Sequence, residues 1–338
     1  MSPTGSSAPS RRSATAPTRA TSPGSSATAW RSSSASTTRS SLRTTSAIIG
    51  RAPSAGRRTF PISSGARSST PSSKRSSPVS ELPPVVDVTW LEDHLADDDL
   101  VVGDVRGPNA HARGHIPTSR PLVLGSPPPM SDAAMLEALA PEVGLRLRRH
   151  GVTGGERLVL YDRGDGVGAM PAAQMAELAG HPRVAVLLGG IAAWRGDPEV
   201  GPVELHPVKT SFDPDLHAVP TRQELAARLD DASLVILDVR TDEEFRGKAG
   251  YPCDPRQGHI PGARHVHVQD LFAGPGQPKS AEETRVLVGD ADEIVAYCHS
   301  GSRSALATLA LRAAGYSARN YAGSWHEWSR HDELPVER

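Results

Sequence analysis

The sequence predicts an α/β protein made of two tandem copies of one domain, each a mainly parallel sheet flanked by helices, behind a disordered N-terminal segment. Three observations carry this. Residues 1–80 hold 12 Lys/Arg, 25 Ser and 11 Thr with no Asp or Glu, whereas the remainder holds 25 Lys/Arg against 38 Asp/Glu. From about residue 85, short Val/Leu/Ile runs alternate with helical patterns, the signature of parallel strands covered on both faces. Five landmarks then recur in the same order with a period of about 135 residues, far beyond solenoid repeats.

The leader comes first. The net charge of −1 joins a +12 segment to a −13 remainder. A Ser/Arg/Thr-rich stretch without apolar periodicity cannot bury enough surface to offset chain entropy, so residues 1–80 are expected to be disordered. Three readings of it compete. One is an organelle transit peptide, Arg- and Ser-rich and poor in acids. One is a basic arm for nucleic acid, although only Trp30 and Phe60 offer aromatic interleaving. The third is upstream sequence translated from an early start codon. No secretory signal is visible. No stretch approaches the ~18 apolar residues of a membrane span, so no membrane is an expected partner, and with so few aromatics in the leader no nucleic acid is expected either. The expected location is cytoplasmic, or mitochondrial if the leader is a transit peptide.

The repeat follows. The runs Leu100 to Arg106 and Leu234 to Arg240 predict buried strands ending in polar residues. Each follows an amphipathic helix, at Thr89 to Leu95 and Thr221 to Leu229, and each precedes a Gly-His-Ile-Pro turn, at 114–117 and 258–261. A second strand ends at Asp162 in one copy and at Cys298 in the other; a helix, a short strand and a Gly-to-Trp element (Gly189 to Trp194, Gly323 to Trp328) follow. The predicted domains are 85–200 and 217–334, with a linker at 201–216 carrying Pro202, Pro207 and Pro214.

The copies differ where chemistry belongs. Ligands of open α/β sheets bind at the carboxyl ends of strands, and there the second copy carries a thiol. With only Cys253 and Cys298 in the chain, a disulfide scaffold and a multi-cysteine zinc site are excluded. No residue is predicted to ligate a metal. The loop Cys298-His299-Ser300-Gly301-Ser302-Arg303 runs from a strand end into a helix predicted over Ser304 to Ala314. Backbone N–H groups at such a junction favour an anion. Gly301 permits a tight curl of those groups, Arg303 adds positive charge, and the thiolate so favoured is the nucleophile. A buried structural cysteine is the alternative for a thiol in isolation; the polar neighbours of Cys298 argue against it.

These pieces together resemble the rhodanese family of sulfurtransferases. They are Asp238-Val239-Arg240, the Gly258–Ala263 turn, the Cys298–Arg303 loop, and Gly323 to Trp328. The resemblance, over about residues 85–334, is to the tandem form with an inactive first domain, which Asp162 fits. It implies Cys298 as catalytic sulfur carrier, with His299, Ser300, Gly301, Ser302 and Arg303 as the substrate-binding loop. It also implies Asp238 and Arg240 as supporting residues that tie the strand end to that loop. A sulfur donor, thiosulfate or 3-mercaptopyruvate, would pass sulfur to cyanide, a thiol or a protein cysteine without a cofactor. Relatives that dephosphorylate proteins place five residues between cysteine and arginine; four stand here, which disfavours that activity.

Donor choice is mixed. His299 in place of the small Gly of mercaptopyruvate-using relatives favours thiosulfate, but the Arg-Lys that follows the cysteine in thiosulfate enzymes is His299-Ser300 here. The family's substrate arginine falls at Glu244, with Arg246 or Arg256 as substitutes. Trp325 and Trp328 are expected to pack the last helix, with a pocket wall as the alternative for Trp325, and His259, repeated as His115, is expected to be structural. Cys253 lies in an insertion, as a spectator or as a resolving thiol for Cys298. The rival from another class is a non-enzymatic binding module.

Overall fold

A computed structural model of the chain describes residues 82–130 and 132–338; the leader, with the readings placed on it, lies outside the described residues. The first half runs β1 (Val85–Val86), α1 (Val88–His94), β2 (Leu100–Asp104), α2 (Pro108–Arg113), β3 (Arg120–Pro121), α3 (Ala133–Arg149), β4 (Arg157–Tyr161), α4 (Ala169–Leu178), β5 (Val184–Leu187) and α5 (Gly190–Ala193). The second runs α6 (Arg222–Ala227), β6 (Leu234–Asp238), α7 (Asp242–Phe245), β7 (Arg264–His265), β8 (Phe272–Gly274), β9 (Gln277–Pro278), α8 (Ala281–Val288), β10 (Glu293–Tyr297), α9 (Ser302–Ala313), β11 (Ala318–Asn320) and α10 (Ser324–Trp328).

The sheets have the orders β1-β5-β4-β2-β3 and β11-β10-β6-β7, and every neighbouring pair in them is parallel. Asp104 pairs with Tyr161 in one sheet and Asp238 with Tyr297 in the other. The residues that follow, Asp162 and Cys298, therefore leave their sheets at equivalent points. Alternation along β10 sends Ile294 and Ala296 to one face, with Cys298 continuing that series, and Val295 and Tyr297 to the other.

Two predicted boundaries shift for local reasons. The strands predicted to reach Arg106 and Arg240 stop at Asp104 and Asp238, because each aspartate turns back on the chain and accepts the N–H two residues on, at 2.9 Å in both copies. The helix predicted from Ser304 begins at Ser302, with Gly301 left-handed at its N-cap. Arg303 thus sits in the first helical turn.

The two domains share packing. Ala305 and Leu309 of α9 join the core that the first domain builds around α3, α4 and β4. A Cβ on Gly166 would lie 2.5 Å from Leu309 Cδ2, so glycine there admits the neighbouring domain's side chain. The Gln174 amide donates to the carbonyls of Ala218 and Asn320, and Arg312 pairs with Glu177 at 2.6 Å. Among the described residues no helix is long and apolar enough to cross a membrane.

Because Leu309 is buried in the other domain's core, Leu309→Ala is expected to cost ~2–4 kcal/mol and to lower the urea midpoint of both domains together. An unchanged midpoint would show the contact to be idle.

Candidate active site

Cys298 lies at the end of β10 and is 1% exposed. Its sulfur accepts the Gly301 N–H at 3.2 Å, and the Ser304 hydroxyl lies 3.4 Å away. Gly301 is required twice over. Its φ is +89°, and a Cβ would come within 2.9 Å of the Ala322 carbonyl. The backbone of Cys298 is held by α10: its N–H donates to Ser324 Oγ at 3.1 Å and its carbonyl accepts the Trp325 N–H at 3.0 Å. Ser324 is buried with φ +53°, a left-handed conformation that non-glycine residues adopt at a cost.

The first copy shows what this loop geometry is for. Asp162 stands where Cys298 stands, and its carboxylate accepts four backbone N–H groups. They come from Gly164 (2.8 Å) and Gly166 (3.3 Å) on one oxygen, and from Gly168 (3.0 Å) and Ala169 (3.1 Å) on the other. The curl is a nest for an anion, filled there by the chain's own carboxylate. The carbonyl of Asp162 accepts the Ile191 N–H at 3.0 Å, matching Cys298 and Trp325. Opposite it sits Gly190, left-handed at φ +50° like Ser324. Ser324 thus adds a hydroxyl to a position that is glycine in the first copy, and that comparison is the sequence signal by which it was legible. Ser304 carried no such signal.

The electrostatics depart from expectation at Arg303. Its guanidinium is bound bidentately by Glu244, at 2.7 and 2.8 Å, so the charge expected to face a donor is already partnered. Glu244, which stands at the family's substrate-arginine position and is not among the expected site residues, arrives on α7, in a capping box with Thr241. Burial pushes its carboxyl up, but the hydrogen bonds from Arg303 and the Thr241 N–H, with the charges of Arg303 and Arg240, outweigh this and hold it at about 2. Neither substitute arginine is free. Arg246 pairs with Asp242, and Arg256 donates to the carbonyls of Trp328, Ser329, His331 and Leu334.

The supporting pair needs a correction. Arg240 and Asp238 are buried and joined at 2.6 Å, but the remaining bond of Arg240 goes to the Gly258 carbonyl (2.7 Å), not to the cysteine loop. Arg106, Asp104 and Gly114 repeat the arrangement. The pair therefore fixes the Gly-His-Ile-Pro turn in both copies. His259 stacks on Phe245 and pairs its backbone with Glu337; His115 stacks on His111 and pairs with Glu199. Trp325 is wholly buried in the core, its indole donating to the Arg256 carbonyl.

The other loop residues divide. Ser300, Gly301 and Ser302 line a cavity of about 380 Å³ together with Ser126, Pro127 and Val167 of the first domain. The cavity beside the cysteine loop is thus shared between the domains. His299 turns away from it. Its ring stacks on Tyr251 with centroids 3.6 Å apart and faces Cys253, Asp254 and His326. Burial holds its imidazole below the ordinary value of 6.5, opposed by Asp254.

The family pattern for a rhodanese-like domain matches residues 87–197 and 221–331, and the chain belongs to that family. It is 31% identical over 286 residues to a thiosulfate sulfurtransferase of Azotobacter vinelandii, covering 76% of this chain and 97% of the relative. It is 30% identical over 278 residues to a 3-mercaptopyruvate sulfurtransferase of Escherichia coli K12, covering 75% and 97%. A solved structure, that of a probable thiosulfate sulfurtransferase, matches with a TM-score of 0.56 at 32% identity, over 71% of this chain and 98% of its own.

Two expectations follow from the geometry. Ser324→Gly relieves the left-handed strain while removing the acceptor for the Cys298 N–H. Its stability is expected to stay within about 1 kcal/mol of the parent, while kcat/KM for sulfur transfer falls about tenfold. Unchanged kinetics would reduce Ser324 to packing. The Glu244–Arg303 pair depresses a carboxyl in the folded state, so its stabilisation is present above pH 4.5 and lost as pH falls toward about 2. The Tm gap between the parent and Glu244→Gln is therefore expected to be widest near neutrality and to close below pH 4.5. A gap independent of pH would refute the pairing.

Proposed function

We propose that this chain is a sulfurtransferase that moves a sulfane sulfur from thiosulfate to cyanide or a thiol acceptor through a persulfide on Cys298. The observation that carries the reading is the exchange between copies: where Asp162 places a carboxylate under backbone N–H groups in one domain, Cys298 places a thiol under the Gly301 N–H and the Ser304 hydroxyl in the other. A cradle that holds an anion holds both a thiolate and the terminal sulfur anion of a persulfide.

The chemistry balances as a double displacement. The Cys298 thiolate attacks the outer sulfur of thiosulfate, a sulfur–sulfur bond forms, and the old one breaks with sulfite leaving on its electron pair. Cyanide then attacks the terminal sulfur; thiocyanate departs and the thiolate returns. Two half-reactions linked by the covalent persulfide form of the enzyme predict ping-pong kinetics. Gly301 and Ser304 stabilise the sulfur, Ser300 and Ser302 line the approach, and Ser324 with Trp325 positions the Cys298 backbone.

One observation favours a second donor. With Glu244 on Arg303, the site offers a dianion less net positive charge than the loop sequence promised. A singly charged donor, 3-mercaptopyruvate, is the reading this supports.

Intact mass of the reduced full chain, incubated with each donor, tests both. A gain of one sulfur with thiosulfate, discharged by cyanide and absent in Cys298→Ser, is the expected result. A gain only with 3-mercaptopyruvate keeps the mechanism and reassigns the donor. No gain with either, on folded protein, replaces the enzyme by a binding module. Because Cys253 stays in Cys298→Ser, the variant also reports sulfur on the wrong thiol.

A further inference from the structure

The insertion that the second copy carries between α7 and the Gly258 turn brings together four side chains that the reaction does not use. Cys253 Sγ lies 3.8 Å from both His299 Nε2 and His326 Nδ1 and 3.7 Å from Asp254 Oδ1. Asp254 Oδ2 lies 3.2 Å from His299 Nε2, and Asp254 Oδ1 lies 3.0 Å from His326 Nδ1. One donor atom from each of the four residues can be chosen so that all lie within 4.8 Å of one another.

We propose that Cys253, Asp254, His299 and His326 form a binding site for a divalent transition metal of the zinc class. The donor set is one thiolate, one carboxylate and two imidazoles, the ligand types such an ion selects. The distances also fit. A tetrahedral ion with metal–sulfur bonds of about 2.3 Å and metal–nitrogen or metal–oxygen bonds of about 2.05 Å puts sulfur about 3.6 Å from nitrogen, and nitrogen about 3.3 Å from oxygen. The observed sulfur edges, 3.7 and 3.8 Å, are slightly longer than these values, and the nitrogen–oxygen edges, 3.2 and 3.0 Å, slightly shorter.

A second observation points to a ligand. The Asp254 side chain is 1% exposed, and its Oδ2 is buried without a hydrogen-bond partner, although His299 Nε2 is close by. An unsatisfied buried carboxylate oxygen is costly, and a cation is its natural partner. The surroundings hold the ligands in place. Arg330 donates to Asp254 Oδ1 at 3.2 Å and to the Cys253 carbonyl at 2.6 Å, Tyr251 stacks on His299, and the His326 N–H donates to the His299 carbonyl at 2.9 Å. Thiolate and carboxylate together neutralise a divalent ion, with Arg330 as an outer partner of the carboxylate.

Spacing along the chain gave no hint of this centre, since Cys253 and Asp254 stand 45 or more residues from His299 and His326. The site braces the nucleophile's loop at the residue after Cys298, against both the insertion and α10. It stands independently of the sulfur-transfer reading.

The full chain, stripped with chelator, would be titrated with Co²⁺ alone, and with Zn²⁺ against a competing chromophoric chelator. The expected result is one equivalent of Co²⁺ with tetrahedral visible bands and a thiolate charge-transfer band. Cys253→Ser should remove the charge-transfer band, and both Cys253→Ser and His326→Gln should weaken Zn²⁺ binding by about tenfold or more. Cys298→Ser should keep band and affinity, with far-UV circular dichroism confirming that each variant is folded. A band lost in Cys298→Ser and kept in Cys253→Ser would place the metal on the nucleophile and overturn the proposal. So would wild-type protein that binds no Zn²⁺ in competition with the chelator.

Discussion

Everything at the site depends on how backbone N–H groups curl around the carboxyl end of a central strand. Peptide dipoles converging on one point create a place for negative charge before any side chain is chosen. In the first domain Asp162 fills that place and takes four N–H groups. In the second, Cys298 enters it, a larger atom with fewer bonds to the loop, and the Gly301 N–H and Ser304 hydroxyl reach the sulfur. The loops themselves differ: six residues separate Asp162 from the start of α4, and three separate Cys298 from the start of α9. The exchange of a carboxylate for a thiol therefore comes with a shorter loop and with one backbone N–H on the sulfur in place of four on the carboxylate.

Charge at the start of α9 is set by a pair rather than by a single arginine. Arg303 is fixed by Glu244, which α7 delivers from almost sixty residues upstream. The pair orders the first turn of α9, on which Ser304 also sits. In doing so it removes free positive charge from the approach. Arg240 is a parallel case of an arginine committed to structure. It lies over the Trp325 ring, its guanidinium carbon 4.8 Å from the ring centroid, and is closed off by Asp238 and the Gly258 carbonyl.

The first domain is more than a silent duplicate. Its α4 and β4 core receives Ala305 and Leu309 from the helix that begins at the cysteine loop. Its residues 126, 127 and 167 complete the cavity at the loop. A duplicated domain whose nest is permanently filled can serve as a rigid wall, and α9 is clamped between that wall and its own sheet. The insertion around Cys253 approaches the loop from the other flank, through His299 and His326.

The sequence by itself determined the duplicated α/β architecture and the residue that each copy places at its strand end, Asp162 in one and Cys298 in the other. Those features are written in local periodicity and in a repeat that compares the chain with itself. Asp162 against Cys298 and Gly190 against Ser324 are legible in that way, because they hold equivalent places in the repeat: each strand-end carbonyl accepts the N–H of Ile191 or Trp325, and Gly190 and Ser324 share a left-handed φ. Tertiary structure decided the rest. Glu244 on Arg303, the turn-holding role of Arg240, the sideways course of His299 and the gathering of Cys253, Asp254 and His326 all join residues distant in the chain. No local pattern encodes such contacts: they arise where separate elements pack. There burial and the need to pair every charge fix which partner each side chain takes.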